Sequence, residues 1–194
     1  NNVNQWQNNY PSVEVLNDDI NRDRLYVLKN EEEIIGVMSL LKDEESTYKK
    51  IFDGTWLSDN IYYTVHRITV KEKGKGISKY LFDYAIKECI KDGISSLRID
   101  THIDNLVMQK VLNKFGFVYC GVIYLNDGSK RIAFEKVINM NKEVYEKQRF
   151  GEERALYNKN NIVLKDCLFQ GEEDGESALK ECNNVLVEKT LFDL

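Results

Sequence analysis

The spacing of hydrophobic and polar positions changes several times along the chain, and each change marks an element. Behind Pro11, the stretch from Ser12 to about Asn21 fits a short helix. Leu25 to Leu28 and Ile34 to Leu41 read as two strands joined by a turn over Lys29 to Glu33. Tyr62 to Val70 alternates, which predicts a strand with His66, Ile68 and Val70 on one face and Val65 and Arg67 on the other. After Ser78, the residues Leu81, Phe82, Ala85, Ile86, Cys89 and Ile90 recur at helical spacing until Gly93 stops the helix. A strand over Leu97 to Thr101 leads into a second helix ending in Lys114-Phe115-Gly116-Phe117. Val118 to Leu125 and Arg131 to Ile138 then form a hairpin around Asn126-Asp127-Gly128. Between the first hairpin and Tyr62 lies a charged connection, Asp43 to Asn60, carrying Phe52 and Trp56. Those two either border a pocket or cover the edge of the core.

Asn139 to Phe150 is polar and helix-compatible and is read as a linker. Beyond it the pattern repeats with a period of 23 residues: Glu153, Ala155, Leu156, Asn160, Asn161, Ile162, Leu164, Leu168 and Phe169 recur as Glu176, Ala178, Leu179, Asn183, Asn184, Val185, Val187, Leu191 and Phe192. Each copy pairs an Asn-Asn turn with a strand, as one coil of a parallel β-solenoid does. Residues 151–194 are thus read as two coils. Solenoids need about three repeats to cover their faces. The segment is therefore expected to be the start of a longer module and to dock on another surface, a homodimer being one way to do so.

Bulk properties narrow the field. The 194 residues suffice for one full domain and part of another. The net charge is −5 and residues 139–194, with 12 acidic and 8 basic side chains, carry most of it, which argues against a nucleic-acid surface. The 4 cysteines show no C-x-x-C spacing, and with only 2 histidines no metal motif emerges. Cys89 lies on the apolar face of its helix and reads as a core residue. No apolar run reaches the ~20 residues of a membrane span, and no signal peptide is visible. Reduced thiols and a cytoplasmic location follow as expectations.

The stretch Lys73-Gly74-Lys75-Gly76-Ile77-Ser78 sits between an apolar strand and an amphipathic helix. Glycines there let backbone N–H groups approach a phosphate, and the helix dipole favours negative charge. Lys71, Lys73, Lys75 and Lys79 around the turn suit the same ligand.

These residues resemble the Gcn5-related N-acetyltransferase (GNAT) family. Its Gln/Arg-x-x-Gly-x-Gly/Ala signature is met by Lys73, Gly76 and Ser78, two of them substitutions. Asn105 followed by Lys114-Phe115-Gly116-Phe117 is similar to the family's Asn-x-x-Ala-x-x-Leu-Tyr-x-Lys-x-Gly-Phe segment. The resemblance implies an α/β (α+β) fold over residues 1–138, with a central mixed, splayed sheet flanked by helices. The family's first strand and helix are missing from it. It further implies transfer of an acetyl group from acetyl-CoA to a primary amine of a small molecule or peptide. The implied CoA-binding residues are Ile68, Thr69, Val70, Lys73, Gly74, Lys75, Gly76, Ile77, Ser78 and Asn105. Three residues are candidates for the general base: Asp100, His66 and His102. The family's usual general-acid tyrosine falls at Leu112, which donates no proton. Tyr119 or Tyr124 would have to replace it, or the thiolate leaves unassisted, or the chain is a non-catalytic acyl-CoA-binding sensor or interaction protein. Residues 151–169 are similar to the opening of an uncharacterised family of right-handed β-helix proteins.

Overall fold

The computed structural model describes residues 10–42, 45–152, 154–170 and 178–193. Glu153 and Glu176 of the repeat lie outside them. The chain forms two compact units, Asn1–Ile138 and Asn139–Leu194.

The first unit opens with helix α1 (Val13–Asn21), whose N-cap Ser12 accepts a hydrogen bond from Val15 N–H at 3.4 Å. Strands β1 (Leu25–Asn30) and β2 (Glu33–Leu41) follow as an antiparallel hairpin. After a short 3-10 turn, Ser46–Tyr48, come β3 (Tyr62–Val70), α2 (Ser78–Lys91) and β4 (Ser96–Thr101). Helix α3 (Leu106–Lys114) and the hairpin β5 (Val118–Tyr124) and β6 (Lys130–Val137) complete the unit. The six strands form one mixed sheet in the order β1-β2-β3-β4-β6-β5, with only β3 and β4 parallel. Parallel neighbours need a crossover, and α2 supplies it. Its periodic residues Leu81, Phe82, Ala85 and Cys89 are buried against the sheet with Met38, Leu40, Val65, Leu97 and Ile99. Burial of each leucine, isoleucine, valine, methionine or phenylalanine among them stabilises the fold by about 1.5–3 kcal/mol. Burial also pushes the Cys89 thiol up to about 12.

On one point the sheet departs from simple alternation. Ser39 pairs with His66 but Val37 pairs with Thr69, so β3 carries one extra residue, a bulge at Arg67, whose φ is 51°. His66 therefore shares its face with Thr69, and Ile68 and Val70 turn to the opposite face, correcting the expected grouping. A buried clamp holds the bulge. Arg67 donates to both oxygens of Asp19 at 2.7 Å and to Tyr10 Oη at 2.9 Å, and Ser39 Oγ donates to Asp19 at 2.5 Å.

The loop before β3 lies against the sheet. Arg98 is stacked between Trp56 and Tyr62, 4.1 and 3.9 Å from their ring centres. Beside it the buried carboxylate of Glu135 accepts from Leu57 N–H at 2.7 Å and from the hydroxyls of Ser58 and Ser96 at 2.6 Å. Trp56 thus covers the sheet.

The second unit contains β7 (Glu143–Glu146), β8 (Arg149–Phe150), β9 (Asn160–Lys165), β10 (Leu168–Gln170), β11 (Asn183–Glu188) and β12 (Leu191–Asp193). They form two parallel sheets, β11-β9-β7 and β12-β10-β8, with the strand order of a small solenoid. This corrects the reading of 139–150 as a linker: the stretch holds a third coil. Its offset differs from the repeat, since Tyr145 pairs with Leu164 and Phe150 with Phe169, 19 residues apart in both. Only Tyr145 of β7 and Phe150 of β8 turn inward, too few apolar positions to advertise strands among the charges. Phe150, Phe169 and Phe192 stack at 4.6 and 4.7 Å between ring centres. Asn184 Nδ2 donates to Asn161 Oδ1 at 2.7 Å, and both asparagines adopt positive φ, a conformation this residue tolerates.

Candidate active site

Parallel pairing of β3 with β4 runs from Tyr62–Ser96 to Val65–Ile99 and stops there, although both strands continue. β4 stays paired with β6 through Thr101–Ile132, and β3 stays paired with β2 through Val70–Gly36. The two central strands therefore splay directly after Val65, next to the Arg67 bulge. Val70 faces Gly36 across a non-hydrogen-bonded position, with Lys71 N–H donating to Ile35 O at 2.9 Å. The N–H and C=O of Val70 consequently point away from β2 into the opening.

A cleft of about 1230 Å³ fills this wedge. One end is walled by Ile68, Thr69, Val70, Lys73, Gly74, Ser78 and Asn105. Lys75, Gly76 and Ile77 lie on the same turn but outside the cleft lining. Gly74 and Gly76 have φ of 77° and 73°, and nothing lies within 4 Å of where a Cβ would stand. The backbone conformation, not crowding, demands glycine, and the turn presents open space in front of α2. The N-cap of α2, Ile77, has no side-chain cap. Among the lysines, Lys71 is ion-paired with Glu33, and Lys79 lies 2.8 Å from Asp83. Lys73 alone of the four lines the cleft. Asn105 lines it too, but its Oδ1 accepts from Met108 N–H at 3.1 Å and so caps α3.

Glu45, Thr47, His66, Arg67, Asp100, Asp127, Ser129 and Arg131 line the rest of the cleft, and His102 lines it next to Asn105, whose N–H donates to the His102 carbonyl at 2.9 Å. His66 is the first residue of β3 beyond the paired segment. Burial holds its imidazole below the usual 6.5, an effect that the carboxylates of Asp100 and Glu45 partly offset. Its Nε2 has no hydrogen-bond partner and lies 3.6 Å from Glu45 Oε2. Asp100 is already engaged: Tyr48 Oη donates to Oδ1 at 2.7 Å, and Arg131 Nε lies 3.8 Å from Oδ2. His102 Nδ1 accepts from Asp104 N–H at 3.2 Å at the entrance to α3.

The profile of the Acetyltransferase (GNAT) family matches residues 3–117, more than half of the chain. The chain belongs to the GNAT acetyltransferase family. A GNAT acetyltransferase from Streptococcus agalactiae 2603 is 30% identical over 71% of this chain and 79% of its own, with a TM-score of 0.60. A GNAT-family acetyltransferase from Listeria monocytogenes and an acetyltransferase from Bacillus subtilis share the fold: they are 20% and 19% identical, cover 66% and 67% of this chain and 72% and 86% of their own, and have TM-scores of 0.52 and 0.50. The B. subtilis protein was solved in complex with CoA. Residues 143–194 match a family described as a protein of unknown function (DUF3737). No curated protein matches.

GNAT acetyltransferases use acetyl-CoA, and the wedge of this GNAT domain offers what that molecule needs: open glycine turn, helix N-terminus and splayed backbone. At the position of the family's acid tyrosine, Leu112 is fully buried and lies outside the cleft lining. Tyr119 and Tyr124 are 49% and 44% exposed and do not line the cleft either. Glu45, Tyr48 and Arg131 were not visible as site residues in the sequence. Glu45 and Tyr48 sit on a loop without periodicity, and Arg131 occupies an ordinary strand position.

Proposed function

We propose that the chain transfers an acetyl group from acetyl-CoA to a primary amine. The observation that carries this is the splay of β3 from β4 opening directly onto the glycine turn that feeds α2. In this reading Ile68, Thr69 and Val70 hold the pantetheine arm along the unpaired edge, and the turn with Lys73 holds the phosphates. Acetyl-CoA supplies the acetyl group as a thioester. Backbone donors of β3 beyond the bulge face its carbonyl oxygen. His66 accepts the amine proton, because burial keeps it neutral near neutral pH and its Nε2 is free of competing bonds. Asp100, bonded to Tyr48 and facing Arg131, sets the field around that imidazole and is the weaker candidate. His102, turned to the start of α3, is weaker still. As the nitrogen–acetyl bond forms, the carbon–sulfur bond breaks and its electron pair leaves on the CoA sulfur.

The non-catalytic alternative, a CoA-binding sensor, is favoured by one observation: a leucine stands where the acid tyrosine is expected. Mixing the protein with acetyl-CoA and primary amines while following free thiol separates the two. Thiol release dependent on the amine supports the transferase; binding of acetyl-CoA without it supports the sensor. The second unit we read as a β-helix module joined to the GNAT domain, its parallel strands supporting that reading. All four cysteines are free thiols, in keeping with a reducing cytoplasmic setting.

A further inference from the structure

We propose that the acceptor is an amine carrying a second positive charge, a diamine or polyamine. This inference rests on the transferase reading and concerns the half of the cleft away from the glycine turn. Three carboxylates line that half, Glu45, Asp100 and Asp127, against two cations, Arg131 and Arg67, and the charge of Arg67 is already matched by both oxygens of Asp19. Their internal bonds leave the imbalance standing. Glu45 Oε1 accepts from Thr47 N–H at 3.3 Å and Oγ1 at 3.1 Å, neither of them a charge. Asp100 accepts from the neutral Tyr48 hydroxyl, and its approach to Arg131 is a loose 3.8 Å. Asp127 accepts only from Ser129 within its turn, and those bonds hold its carboxyl below the usual range, so it stays ionised.

An independent observation says that this region is shaped for a ligand. His66 lines the cleft on the same face as Asp100, and its Nε2 is buried without a hydrogen-bond partner. Buried polar atoms are normally satisfied. An unsatisfied one in the wall of a cleft is what a site awaiting a polar molecule shows. The amine to be acetylated must lose its charge at His66. A second ammonium keeps its charge and is stabilised by the carboxylates, whereas a carboxylate at that place is repelled by them.

The test uses three acceptors of one length: 1,4-diaminobutane, butylamine and 4-aminobutanoate, which end in an ammonium, a methyl and a carboxylate. With the whole chain and acetyl-CoA, kcat/KM is expected to be highest for the diamine, about tenfold above butylamine, with 4-aminobutanoate lowest. The diamine advantage should shrink with added salt, which screens exposed charges beyond about 10 Å. In Glu45→Gln and Asp127→Asn the ratio of diamine to butylamine should fall severalfold. Butylamine or 4-aminobutanoate reacting as well as the diamine overturns this inference and leaves the transferase reading intact. Bound acetyl-CoA with no thiol release from any of the three overturns both.

Discussion

Tyr48 Oη donates a 2.7 Å hydrogen bond to Asp100 Oδ1, joining the loop before β3 to the strand that forms one wall of the wedge. Tyr48 is fully buried and stacks at 5.4 Å on Trp56, which in turn covers Arg98. Burial and the neighbouring carboxylate both push its hydroxyl well above 10, so it stays a donor at every physiological pH.

Removing that donor leaves a carboxylate short of a partner, and hydrogen bonds to charged groups are worth about 1.5–3 kcal/mol. Tyr48→Phe is expected to lose stability of that order in denaturant unfolding. It should also lower kcat, since Asp100 is then free to turn. A variant as stable as the parent would show that Asp100 is held by other means.

The bulge at Arg67 depends on Asp19, which is 2% exposed. Asp19→Asn takes the counter-charge from a half-buried guanidinium, a change that costs about 3–5 kcal/mol at buried pairs. Part of the loss should appear as weaker acetyl-CoA binding, because the bulge is where β3 parts from β4. Calorimetry at a temperature where the variant is still folded reads that part separately.

Gly76→Asp places a carboxylate at φ 73° beside the start of α2. Acetyl-CoA affinity is expected to fall at least tenfold, through like charge and through strain in the turn. Gly76→Asn meets the same φ with less strain and no charge, and should fall less. Unchanged affinity in the aspartate variant would move the phosphates elsewhere.

His66 titrates below 6.5 because burial disfavours its charged form. With the folded value depressed, its contribution to stability is fully present above 6.5 and is lost as pH falls through the folded value. If it is the base, the acid limb of kcat/KM must also lie below 6.5. His66→Gln should abolish that limb and cut kcat by roughly 10²–10⁴. Asp100→Asn should shift the limb further down, since its carboxylate favours the imidazolium. Loss of the limb in Asp100→Asn alone would reverse the two roles.

Much of the sheet was legible. Helical spacing from Leu81 to Cys89 and alternation up to His66 were enough to place α2 and β3, because one buried face fixes each period. The bulge was not, since Arg67 is held there by Asp19, Ser39 and Tyr10, and no local pattern reports contacts from three other segments. Nor were Glu45 and Tyr48, which reach the site from an irregular loop. The GNAT turn was read from its glycines. Pairing of two of its lysines with Glu33 and Asp83 left a smaller basic patch than the sequence suggests. In the second unit, a repeat with a period of 23 does not reveal strands offset by 19.

The parallel ladder from Phe150 through Phe169 to Phe192 gives that unit something like a reading frame. Val185 stands on Ile162, Val187 on Leu164 and Phe192 on Phe169, each 23 residues along. Duplicating residues 162–184 in tandem keeps every inward side chain in phase and should lengthen the unit by one coil, with a higher unfolding midpoint, since each new interface adds stability. Duplicating one residue more or fewer throws the downstream strands out of phase and turns their apolar faces to water. The length of this unit is thus quantised, and only whole coils can be gained.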